Sequence, residues 1–95
     1  MAYIDLCETK ANEFFDVAQR QYKEGNFAST IEYCNRAIDF YHNGPAIAKL
    51  KAMAYEAEGN YQGAIKYYNQ YLAYSPNAAD REVIQKKLVK FQDKK

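Results

Sequence analysis

Apolar residues recur along this chain at steps of three and four and never alternate over a strand's length, which predicts an all-α fold. Phe27, Ile31, Cys34, Ile38 and Tyr41 make one helical stripe, and Tyr61, Ile65, Tyr68 and Leu72 make another, widened by Ala64 and Tyr71. Each is preceded by a further stripe. Cys7, Ala11, Phe14, Ala18 and Tyr22 lead up to Gly25, and Ile47, Leu50, Ala54 and Tyr55 lead up to Gly59. A fifth helix carries a narrow stripe of Ile84, Leu88 and Phe91, with Glu82, Gln85, Lys86, Lys87 and Lys90 solvating the rest. It has no partner in sequence and reads as a terminal cap with a wet outer face.

The joints between stripes fix the organisation. Gly25-Asn26 and Gly59-Asn60 separate the members of each pair, and both residue types accept the left-handed conformation that ends one helix and aims the next back along it. Helices joined this tightly are expected to lie antiparallel. His42-Asn43-Gly44-Pro45 divides the two pairs, with Pro suited to a first helical turn. Ser75-Pro76-Asn77 ends the second pair, and Asn77 is the expected N-cap of the last helix. The joints also expose a duplication: Glu24, Gly25, Asn26, Ile31, Tyr33 and Asn35 recur as Glu58, Gly59, Asn60, Ile65, Tyr67 and Asn69, 34 residues on. About one identity would arise by chance over such a stretch, so the chain contains an internal repeat.

Composition narrows the functions available. The 95 residues suffice for one small domain or a piece of a longer array, and 13 basic against 12 acidic side chains leave almost no net field to attract nucleic acid or anionic lipid. The ten tyrosines therefore read as packing residues with a polar tip, Tyr41, Tyr55, Tyr61, Tyr68 and Tyr71 falling on faces that must be covered, and not as base-stacking platforms. No apolar run is long enough for a signal sequence or membrane span, and the chain is expected to be soluble and cytoplasmic. Cys7 and Cys34 lie too far apart along a helical hairpin for a disulfide, and with neither a CxxC pair nor a His cluster no metal or cofactor is expected. His42 stands in a turn without a nucleophile or carboxylate constellation, so the expectation is that this is not an enzyme.

A 34-residue helix-turn-helix unit with this turn resembles the tetratricopeptide repeat family. Ala52, Tyr55, Gly59, Tyr61, Ala64, Tyr68 and Pro76 carry the likeness in the second copy, and Phe14, Val17, Ala18 and Ala37 carry it in the first. Departures occur as well: Gln21, Thr30 and Cys34 replace the usual Tyr, Ala and aromatic, and Ala48 and Lys51 replace the large Trp and Leu. Ile47 and Leu50 supply bulk one place earlier, as a slight rotation of that helix would require.

The resemblance implies two repeats, about 11–44 and 45–78, stacked as a short right-handed solenoid in one domain spanning 1–95 and closed by a helix at about 79–93. It also implies a concave groove, lined by the first helix of each pair, that holds a peptide or an amphipathic helix of another protein. Carried over by register, the groove residues are Asn12, Phe15, Asp16, Gln19 and Tyr22 from the first pair and Lys49, Leu50, Met53 and Glu56 from the second. Val83, Lys87 and Lys90 extend that surface. The family's carboxylate clamp for chaperone tails is missing, because Ala18-Gln19 stands for its Gly-Asn and Leu50 for its second Asn. Phe15 and Met53 instead suit an apolar segment. Phe14 and Phe15, about 100° apart on a helix, leave alternatives: with Phe14 inward Phe15 faces the groove or solvent, or a wide stripe covers both. With two repeats only, self-association through the apolar Tyr3, Ile4 and Leu6 is the second expectation, as a homodimer or as a unit of a longer array.

Overall fold

The computed structural model describes the backbone of residues 2–40 and 44–93 and the side chains of residues 10, 12–38 and 44–93. Five helices follow one another: α1 (Ala2–Lys23), α2 (Phe27–Phe40), α3 (Pro45–Ala57), α4 (Tyr61–Tyr74) and α5 (Arg81–Gln92), with no strand among the described residues.

The two Gly-Asn joints are built alike. Gly25 and Gly59 have φ of 83° and 80°, the left-handed region that a side chain makes costly. At the first joint the Gly25 amide donates to Tyr22 O (3.1 Å) and the Asn26 amide to Gln21 O (2.9 Å); at the second, Gly59 donates to Glu56 O (3.0 Å) and Asn60 to Tyr55 O (2.9 Å). These are the paired bonds of a Schellman stop, which satisfy the last carbonyls of the outgoing helix. Asn60 then opens α4, its Oδ1 accepting from the Gly63 amide at 3.0 Å. Asn26 uses its side chain differently, donating to Gln21 Oε1. The contacts advance away from the first joint, with Tyr22 meeting Phe27 edge-on at 5.4 Å and Phe14 meeting Tyr33 at 6.2 Å.

Pro45 occupies the first turn of α3 behind an extended Gly44, as its missing N–H predicts. His42 and Asn43 lie outside the described residues, as do Tyr41 and the side chains of Tyr3, Ile4, Leu6 and Cys7.

The start of α5 differs from expectation. Asp80, and not Asn77, is the residue before the helix, because the Ala78 amide donates to Ser75 O and the Arg81 amide to Ala78 O, which keeps residues 75–80 out of the helix. The Asp80 side chain makes no capping bond.

Two apolar clusters share α3. Ala18, Cys34, Ala37, Ile47 and Leu50 form the first, with Phe14, Phe15, Tyr22, Tyr33 and Ile38 packed on it; Ala52, Ala64, Tyr68, Ile84 and Phe91 form the second. Covered on both sides, α3 buries Ala48 and Lys51 as well as Ile47 and Leu50, so bulk at the earlier places does not expel the later ones. Phe14 and Phe15 are both half-buried against the first cluster, so packing on the core leaves part of each ring uncovered. The α5 stripe packs as its spacing predicts: Ile84 and Phe91 are buried, Leu88 lies partly buried against the second cluster, and Phe91 lies close to the Tyr61 and Tyr68 rings.

Candidate functional site

Between α1 and α3 lies an open cavity of about 300 Å³, lined by Phe15, Gln19, Tyr22 and Lys23 from α1 and Ala46, Lys49, Leu50 and Met53 from α3. The positions are one face of each helix, since 15, 19, 22 and 23 and likewise 46, 49, 50 and 53 step by whole turns. Phe15, Tyr22 and Met53 are half-buried, and Leu50, only 7% exposed, joins the floor of the cavity to the first cluster.

The residues expected in the groove are thus divided. Phe15, Gln19, Tyr22, Lys49, Leu50 and Met53 come together on one cavity, whereas Asn12 and Asp16 are exposed on α1 outside its lining. Glu56 is outside the lining too and is already engaged: Tyr68 Oη donates to its Oε1 at 2.7 Å, and Lys87 Nζ lies 3.3 Å from the same oxygen. Lys23 and Ala46 were not expected, although each stands on the same helical face as its neighbours in the lining.

Lys49 is engaged in the same manner. Its Nζ lies 2.5 Å from Asp80 Oδ2, while Tyr71 Oη donates to Asp80 Oδ1 at 2.8 Å. Bonds from Lys49 and then Tyr71 hold the Asp80 carboxyl below the usual carboxylate range, and the same carboxylate raises the Tyr71 phenol. Tyr68 is pushed up chiefly by burial and then by its bond to Glu56. The two arrangements are copies, each a Lys-carboxylate pair steadied by an α4 tyrosine. They sit seven residues apart on both α3 and the α5 segment, with the signs exchanged.

On the other flank of α3, Lys51 donates to Asn35 Oδ1 and lies 4.0 Å from the Tyr67 ring centroid, with Tyr55 stacked on Tyr67 at 5.6 Å. The bond from Lys51 is the main influence lowering the Tyr67 phenol. Cys34 is a free thiol pushed up to about 12 by burial, with Lys51 pulling weakly the other way, so it stays protonated and unreactive at neutral pH. No cluster of three or more metal-binding side chains occurs among the described residues.

Paired helices around repeated Gly-Asn stops define a helical repeat protein. Residues 45–78, spanning α3, α4 and the turn after them, match the family model described as Tetratricopeptide repeat, and that match and the five helices fit a tetratricopeptide-like helical repeat protein. Repeats of this family are in general non-enzymatic elements through which proteins bind other proteins. No curated protein matches the chain. No helix among the described residues is long and apolar enough to cross a membrane.

Proposed function

We propose that this chain is a cytoplasmic, non-enzymatic interaction module that seats a peptide or an amphipathic helix of another protein in the groove between α1 and α3. In this reading α1–α2 and α3–α4 are antiparallel repeats, about 11–44 and 45–78, wound as a short right-handed solenoid and closed by α5. The supporting observation is the convergence of Phe15, Gln19, Tyr22, Lys49, Leu50 and Met53 on one mostly apolar cavity. A partly covered Phe and Met beside polar neighbours suit an apolar anchor side chain whose backbone stays wet.

Chemical-shift mapping with a bound partner is expected to cluster on Phe15, Gln19, Lys49 and Met53, and a Phe15→Ala, Met53→Ala pair is expected to abolish capture. Shifts confined to α2 and α4 would defeat the groove reading. A second reading, self-assembly, draws on Val83 and Val89, 57% and 63% exposed on α5. Light scattering over a concentration range tests it, a constant monomer mass counting against assembly.

A further inference from the structure

Lys49 forms part of the cavity wall, yet its ammonium is held by a residue outside that wall. Asp80 comes from the turn leading into α5, and both its oxygens are occupied, one by Lys49 and one by Tyr71. The Lys49 ammonium also lies 5.6 Å from the Tyr71 ring centroid. The pair is partly shielded, with the Lys49 and Asp80 side chains 39% and 28% exposed. Most of the remaining lining is apolar: Phe15, Tyr22, Leu50 and Met53. Lys23, the other cation there, has no ion pair among the described residues, but it is exposed where water and salt screen it.

We propose that Asp80 is a specificity-determining residue of the groove. By holding Lys49 it withdraws the ammonium from an incoming ligand, and the site takes an uncharged apolar segment of another protein in preference to one with a carboxylate beside its apolar anchor. This rests on the groove reading above. A ligand carboxylate approaching Lys49 meets Asp80 already in place, so repulsion between the two anions offsets much of the attraction. A neutral apolar side chain displaces water from Phe15, Leu50 and Met53 without leaving Lys49 unpaired, because its partner is internal. Charge complementarity at this wall is complete before any ligand arrives. Outside the lining, Glu56 and Lys87 are likewise paired with each other beside Tyr68.

The test is a displayed dodecapeptide library selected in parallel, at low salt, on the 95-residue wild type, on Asp80→Asn and on the double variant Asp80→Asn, Lys49→Gln. Wild type is expected to recover apolar-anchored sequences without enrichment of Asp or Glu. Asp80→Asn is expected to enrich a carboxylate near the anchor about threefold, the scale of a partly exposed ion pair, and the double variant to lose that enrichment. Circular dichroism verifies folding, with Asp80→Ser as the replacement should the Asn variant lose helicity. Equal acid content from wild type and Asp80→Asn overturns the proposal, as does acid enrichment on wild type. Failure of the groove reading looks different: wild-type binders whose chemical-shift changes avoid Phe15 and Met53 overturn both.

Discussion

Lys51 places an ammonium where the family pattern carries Leu, and it is only 6% exposed. Its company is an amide oxygen of Asn35 and the Tyr67 ring, with no carboxylate in ion-pair contact among the described residues. An interior cation held by neutral groups forfeits much of its hydration, whereas Asn35 is exposed and would be solvated without it. Lys51→Leu is therefore expected to raise unfolding free energy by about 1 kcal/mol, read by urea titration, and to shift the Tyr67 phenol upward in a spectroscopic titration. Tyr68 supplies the opposite lesson in pH. Its folded phenol titrates above the ordinary value of about 10, so the stability it contributes is fully present below that value and declines as pH rises through the folded one. Melting temperature is expected to fall more steeply above pH 10 in wild type than in Tyr68→Phe, which keeps the ring and lacks the ionisable group.

Among the elements, the joints were the most legible in the sequence. Gly and Asn at a 34-residue interval announced a left-handed stop, and the backbone has it at both places. A Cβ on Gly59 would meet no atom within 4 Å, so Gly59→Ala isolates the cost of φ from the cost of space. The expected loss is about 1–2 kcal/mol by denaturant unfolding. Less legible was the start of α5: Asn77 has the chemistry of a cap, but the turn bonds from Ala78 and Arg81 delay the helix until after Asp80. The cavity itself was legible in part because Phe15, Gln19, Lys49 and Met53 follow from the register that the family resemblance implies. Asp80 was not, since its bond to Lys49 depends on how a non-repeated turn folds over a neighbouring helix. For the same reason Glu56 looked free on its own helix, although Tyr68 and Lys87 reach it from two others.

At the scale of the whole molecule, helices pack chiefly on their neighbours in sequence, with α1 and α3 the further pair of helices that touch. The radius of gyration is 13.6 Å over extents of 47 × 29 × 18 Å, somewhat above the roughly 12 Å of a compact domain this long. Stability in such a row is communicated from one interface to the next. Phe91, 4% exposed against Tyr61 and Tyr68, anchors the last interface. Phe91→Ala is expected to cost about 3–4 kcal/mol and, by hydrogen exchange, to release α5 and α4 before α1 and α2.

No Cα atoms of α3 and α5 approach within 8 Å among the described residues, and side-chain ion pairs join α3 to α5 and to the turn before it. Because Lys49 faces Asp80 and Glu56 faces Lys87, the four charges act as a keyed connector. Docking the cap end for end, or sliding it two turns, sets ammonium against ammonium or carboxylate against carboxylate. A connector of this kind adds little to holding strength and much to rejecting wrong insertions, which a short amphipathic helix with three apolar anchors would otherwise tolerate.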